Sequence, residues 1–271
     1  PPRLYPSEAA INEARAEDGA PPLGEPYLPE APPWATGSTN LLFIMVGFTD
    51  VACSFTAAQM QANMFGGAAS GPGDLDDYYR EISFGQLDFV GTVVGCFTLS
   101  NTKAYYDTGA GSDDDLVNEA IALANPTVDF SQFDNDGNGV VDALGIIYAG
   151  GGPHDGCDVD DPPSGSGGDD LWPHATSLPG AGTAVDGVNV DPYIINSEVT
   201  FGVNPPTGCT QIQTIGLFAH ELGHSLGLPD LYDTDNSSQG LDTWTTMASK
   251  YTSVVNLSDA PTHFDAWSKW F

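Results

Sequence analysis

His220, Glu221 and His224 stand in the order H-E-x-x-H, and the chain continues Ser225-Leu226-Gly227-Leu228-Pro229-Asp230. On a helix, residues four apart share a face, so both imidazoles can aim a ring nitrogen at one metal ion. Glu221 lies one step round, where its carboxylate reaches a metal-bound water without being a ligand. Gly227 suits the left-handed end of such a helix, and Pro229 forbids its continuation. The turn returns Asp230, rather than Asp233 or Asp235, as a third ligand. Two imidazoles, one carboxylate and an open fourth position describe a catalytic zinc site and not a structural one. With 5 His and 9 Glu in 271 residues, H-E-x-x-H arises by chance about 0.003 times. An amphipathic helix with two surface histidines is therefore the weaker reading.

A second set of oxygen donors runs Asp134-Asn135-Asp136-Gly137-Asn138-Gly139-Val140-Val141-Asp142. Asp134, Asp136, Asn138 and Asp142 take positions 1, 3, 5 and 9 of a calcium loop. The Val140 carbonyl takes position 7 and Gly139 position 6. Position 12 is Gly145 where a bidentate Glu should close the shell, so Asp129 is the candidate to complete it. A metal-free Asp/Asn/Gly turn is the alternative. His154 and His174 read as exposed or structural loop residues, and His263 as a surface or capping residue at the start of a C-terminal helix.

The extended pattern H-E-x-x-H-x-x-G-x-x-D resembles the metzincin zinc endopeptidases, in the version with Asp as third ligand. The run His220 to Asp233 is similar to the immune inhibitor A family of secreted bacterial metalloproteases. Asp76-Asp77-Tyr78-Tyr79-Arg80-Glu81-Ile82-Ser83-Phe84-Gly85-Gln86-Leu87 adds a match upstream. Trp244-Thr245-Thr246-Met247-Ala248-Ser249 and Pro261 to Lys269 add matches downstream, so the likeness covers residues 40 to 271.

This resemblance implies a metzincin-like α/β (α+β) domain with a twisted mixed sheet and an active-site helix. Its upper subdomain would span 39–227 and a small lower subdomain 228–271. Met247 would be the Met-turn residue packed beneath the zinc-binding imidazoles. Tyr251 would be a phenol stabilising the oxyanion, although metzincins that use such a Tyr place it nearer the Met. The implied activity is a secreted, zinc-dependent endopeptidase acting on proteins or peptides, with Glu221 as general base. Two other readings stay open. A zinc amidohydrolase of a small substrate would need a closed pocket. A calcium-dependent extracellular binding or adhesion protein would carry a degenerate metal site, and the intact Glu221 argues against it.

The elements that must position these residues are legible as alternation. Leu41 to Thr49 reads as a buried strand, and Thr56 to Phe65 and Leu75 to Ile82 as helices. Gln86 to Leu99 has β character, Asp115 to Ala124 is helical, and Val140 to Tyr148 and Val188 to Val199 are strands. The zinc helix runs from Thr214 to Leu226. Alternating strands and helices imply a layered α/β domain. Pro192 marks Val188 to Val199 as an edge strand able to dock an extended peptide. The Asp113-Asp114-Asp115 run fits a helix start that prefers negative charge.

Residues 1–38, with nine prolines and no apolar period, read as an extended arm or a propeptide-junction remnant. A chain that begins at Pro1 reads as trimmed, and its end at Phe271 within a predicted helix reads as truncated. Four cysteines allow three pairings. Cys53 follows the first strand and Cys96 closes another, which favours Cys53–Cys96 with Cys157–Cys209, as suits an exported protein. The net charge of −31 repels nucleic-acid phosphates and anionic lipid. No run of 18 apolar residues offers a membrane span.

Overall fold

Leu41 to Phe48 are all buried, because a run of aliphatic and aromatic residues without polar alternation suits a strand covered on both faces. In the computed structural model, which describes residues 31–66, 74–107, 111–155, 157, 171–180, 182–203, 206–233, 238, 240–248 and 261–269, this run lies within β1 (Gly37–Gly47). Strand β1 pairs in parallel with β2 (Leu87–Thr98) on one side and β3 (Leu144–Gly151) on the other. Strand β3 pairs in parallel with β7 (Pro192–Val203). The far edge of β7 takes two antiparallel partners, β4 (His174–Ser177) and β8 (Pro206–Ile212). A separate hairpin joins β5 (Thr183–Val185) to β6 (Val188–Val190). The sheet is thus mixed, in the order β2-β1-β3-β7-β4.

Helices cover both faces, as parallel strands require. In chain order they are α1 (Ala57–Phe65), α2 (Leu75–Ile82), α3 (Lys103–Asp107), α4 (Asp113–Ala124) and α5 (Ile215–Ser225). Leu116, Val117, Ala120 and Ile121 of α4 pack on Leu42, Ile44, Ile146 and Tyr148 in one apolar cluster. On the opposite face, Phe43 meets Phe65 of α1 at 5.8 Å and Phe218 of α5 at 6.0 Å between ring centroids. Local chemistry sets the helix starts. Thr56 and Gln59 form a capping box, Asp74 accepts from Asp77 N, and Ser112 and Asp115 form a second box ahead of α4.

Three expectations need correction. The strand expected at Val140 begins only at Leu144. Val140 makes an isolated bridge to Asn189, and its N–H donates to Asn138 Oδ1. Short Asn and Asp side chains there compete with the ladder for backbone donors. The strand expected over Val188 to Val199 is two strands, β6 and β7, separated at Asp191. Strand β7 is interior, since Pro192 is its first residue and a missing N–H costs little at that position. The edge is β4 instead. Where the sequence implies a helix, residues 261–265 have no regular structure and 266–269 make a single turn, with Lys269 N bonded to Asp265 O.

Trp34 is buried, and Thr39 Oγ1 donates to its carbonyl, so residues 31–38 are tied to the sheet. The rest of the Pro-rich arm, residues 1–30, lies outside the described residues. Disulfides join Cys53 to Cys96 and Cys157 to Cys209, the pairing that strand positions favour. The first ties the loop after β1 to β2, and the second ties the segment after β3 to β8. Among the described residues, no helix is long and apolar enough to cross a membrane.

Candidate metal centre and active site

Helix α5 is apolar on most of its surface, with Ile215, Leu217, Phe218, Ala219 and Leu222 buried. It is held as a core element, and Tyr79 of α2 donates its hydroxyl to Ala219 O at 2.7 Å. The helix ends where the spacing demands. Gly227 adopts φ 91°, and its N–H bonds to His224 O at 2.8 Å while Leu228 N bonds to Gly223 O at 3.0 Å. The chain then reverses and carries Asp230 back to the two imidazoles.

The three groups converge on one point. Asp230 Oδ1 lies 3.1 Å from His220 Nε2 and 3.3 Å from His224 Nε2, and the two Nε2 atoms are 3.1 Å apart. His220 Nδ1 donates to Thr246 O at 2.8 Å, and His224 Nδ1 donates to Leu228 O at 2.7 Å. Carbonyls can only accept, so each Nδ1 carries a proton and each Nε2 turns a lone pair toward the carboxylate. Three acceptors at this spacing need a shared cation, either a proton or a metal ion. The pull is visible in the ionisation. Burial disfavours charge on both groups, yet bonds with His220, His224 and Tyr232 hold Asp230 well below the usual carboxylate range. Against burial, the bond to Asp230 raises His224. Metal bonds of about 2.0–2.1 Å at tetrahedral angles put donors about 3.3 Å apart, which the observed triangle fits.

Glu221 is buried beside this triad, and its Oε2 has no hydrogen-bond partner. Burial raises the carboxyl pKa, while the nearby imidazoles oppose the rise. A buried acceptor left open beside such a cluster makes Glu221 a candidate for proton chemistry.

Several supporting residues carry no signal in the spacing. Tyr232 donates to Asp230 Oδ2 at 2.9 Å and fixes the carboxylate from behind. Its own pKa is pushed up to about 12 by burial and by that carboxylate. A Cβ on Gly223 would fall 2.4 Å from Met247 Sδ, so the glycine lets the buried Met247 side chain press against α5. The same turn supplies Thr246 O to His220, and Tyr78 OH both meets Thr246 Oγ1 and donates to Thr262 O, each at 2.8 Å. The Tyr78-Tyr79 pair therefore braces helix α5 and the turn beneath it. That pair belongs to a stretch marked by resemblance, but nothing in its sequence names these partners.

A cleft of about 490 Å³ opens over the triad, lined by Trp172 to Ala175 along one side and by His220, Glu221, His224, Asp230 and Tyr232. His174, which the sequence places in a loop, stands in this wall on β4. His154 contacts Gln213 and Trp172, and His263 pairs with Glu81 at the surface. Tyr251 lies outside the described residues.

The second acidic cluster also forms. Carboxylate oxygens of Asp134, Asp136 and Asp142 gather within 4.8 Å of one another. Asn138 N bonds to both Asp134 Oδ1 and Asp136 Oδ1 at 3.0 Å, and Gly139 N bonds to Asp134 Oδ2 at 2.9 Å. Asp129 does not complete this set as expected. Its carboxylate caps the turn at Phe130–Phe133 by accepting from Ser131 and Gln132.

Residues 55–271 match the family model described as the immune inhibitor A peptidase M6 catalytic domain. The chain belongs to the immune inhibitor A peptidase M6 family. Within the matched span fall His220, Glu221, His224, Asp230 and Met247, so the family assignment and the convergent triad concern the same part of the chain. Among its relatives, Immune inhibitor A of Bacillus thuringiensis subsp. alesti is 32% identical over 223 residues, covering 72% of this chain and 31% of that protein. Pre-pro-metalloprotease PrtV of Vibrio cholerae serotype O1 is 28% identical over 224 residues, covering 73% of this chain and 23% of that protein. The chain thus spans less than a third of the length of either relative.

Proposed function

We propose that this chain is a secreted, zinc-dependent endopeptidase domain with Glu221 as its general base. The observation that carries the reading is the convergence of His220, His224 and Asp230 beside the buried, unpartnered Oε2 of Glu221. Membership of a peptidase family supports it, as does the name metalloprotease on a relative. Two disulfides fit an oxidising, extracellular setting.

His220, His224 and Asp230 would hold the zinc, and the carbonyls of Thr246 and Leu228 keep both imidazoles in the ligating tautomer. Bound zinc supplies Lewis acidity toward the scissile carbonyl and lowers the pKa of a water. Glu221 accepts a proton from the attacking water as the C–O bond forms and the carbonyl π bond opens, then passes it to the amine nitrogen, and the C–N bond breaks as the carbonyl re-forms. Met247 sets the height of α5 through its contact with Gly223 and takes no part in proton transfer.

The substrate is an extended peptide laid along β4. That strand is one of the two end strands of the sheet path among the described residues, and it is the one that borders the cleft. Its free edge offers main-chain hydrogen bonds independent of sequence. Such an open edge favours a polymer over the small amide that an amidohydrolase would enclose. Asp134, Asp136, Asn138 and Asp142, with the Val140 carbonyl, form a calcium loop with a structural role, supported by the gathered carboxylates. The loop is pinned to β1 by Asn40 N bonding to Asn135 Oδ1 at 2.7 Å.

Chelation tests the metal dependence. Stripping the protein with a zinc-selective chelator should abolish cleavage of casein, and one equivalent of zinc should restore it. Cleavage that continues in the stripped protein would overturn the reading.

A further inference from the structure

Trp172 is 48% exposed, and among the exposed large apolar residues described it alone lines the cleft. At the rim of the cleft, the exposed indole offers a large apolar surface that a ligand can cover. Its backbone is fixed on both sides. Leu171 is buried, its N–H bonds to Asp107 Oδ1 at 2.5 Å, and its carbonyl accepts from Tyr148 OH at 2.6 Å. Pro173 is also buried, and its ring locks the following backbone. The Trp172 carbonyl accepts from His174 Nδ1 at 2.8 Å. The indole itself is braced edge-on by His154, with ring centroids 6.3 Å apart. Gln213, one residue before the N-cap of helix α5, holds His154 in turn by donating from Nε2 to its ring at 3.1 Å.

We infer that Trp172 is a specificity-determining residue of the cleft, a rigid shelf for one aromatic or long aliphatic side chain of the peptide substrate. The inference rests on the peptidase reading and adds the substrate class. On a peptide added to β4, successive side chains point to alternate faces, so one of them meets the indole beside the strand's start. Of the other lining residues, Pro173 and Leu228 are buried, Ala175, Gly227 and Pro229 are smaller than the indole, and His174, His220, Glu221, His224, Asp230 and Tyr232 are polar. A basic side chain could lie on the indole too, but it would need a carboxylate. The two in the cleft, Glu221 and Asp230, are committed to proton transfer and to the metal.

The test profiles cleavage of a peptide library by zinc-loaded wild type, Trp172→Ala and Trp172→Phe. The preferred position is then refined with peptide pairs carrying Phe or Ala there. Wild type should favour the large apolar residue at that one position by about 10–100-fold in kcat/KM, the range one hydrophobic contact supports. In Trp172→Ala the ratio should fall to within about threefold, Trp172→Phe should keep most of it, and preferences at other positions should not move. Zinc content and an unfolding midpoint matching wild type show that the Ala variant is folded. An unchanged ratio in Trp172→Ala overturns the inference and leaves the peptidase reading intact. A Lys or Arg preference that depends on Trp172 overturns it equally. If zinc-loaded wild type cleaves no peptide at all, the peptidase reading fails and takes this inference with it.

Discussion

The third donor of the triad is the residue on which the site's chemistry turns, because two imidazoles alone bind many ions weakly. Asp230 is placed by Gly227 and Pro229 and held by Tyr232, whereas Asp233 accepts from Ser238 N. Asp230→Ala should therefore lose stoichiometric zinc by metal analysis, and Asp233→Ala should keep it. Equal retention in both variants would contradict the assignment. At this scale, much of the site is legible in the amino-acid order alone. H-E-x-x-H brings two imidazoles and a carboxylate together through helical periodicity, and Gly-x-Pro-Asp sets a reversal. The partners of those residues are not legible in the same way. Thr246 O and Leu228 O are backbone atoms, which no side-chain pattern announces. Gly223 looks like an indifferent position inside the motif until Met247 is seen against it.

Elements bring the site together by a few polar ties between covered surfaces. One tie away from the cleft is Glu119 of α4, whose carboxylate accepts from Ser100 N, Ser100 Oγ and Tyr106 OH. Burial opposes its charge, but these three bonds outweigh burial and hold its pKa below the ordinary glutamate value. A carboxyl depressed by folding stabilises the protein above its unfolded pKa, and that contribution is lost as pH falls through the folded value. The unfolding midpoint of wild type should thus exceed that of Glu119→Gln at pH 7. The gap should close as pH drops below about 4.3, the unperturbed glutamate pKa. A gap constant down to pH 3 would contradict the role given to the carboxylate. Long apolar or periodic segments such as β1, α1, α2 and α4 are legible because burial writes its period into the sequence. Strand β4 is not. His174-Ala175-Thr176-Ser177 is short and half exposed, follows a Gly, Pro and Asp-rich stretch, and pairs only because β7 lies beside it.

The whole molecule carries 37 acidic against 6 basic side chains, for a net charge of −31. Such a surface repels itself more when compact than when unfolded. Salt shortens the reach of that repulsion to about 10 Å at 0.1 M and about 3 Å at 1 M. The thermal midpoint should rise steadily with sodium chloride from low ionic strength, and a midpoint that falls or stays flat would show that the charges are locally compensated. The zinc-peptidase account itself predicts a sharper separation, because Glu221 is assigned a proton and no metal bond. Replacing it with Gln keeps the shape of the side chain but removes its capacity to accept and return a proton near neutral pH. The most direct test is therefore zinc content and protein cleavage measured together on wild type and Glu221→Gln. The account predicts stoichiometric zinc in both, with cleavage lower by about 10³-fold or more in the variant, since general acid–base assistance alone is worth about 10²–10⁴-fold. A Gln variant that holds zinc and cleaves as fast as wild type would contradict it.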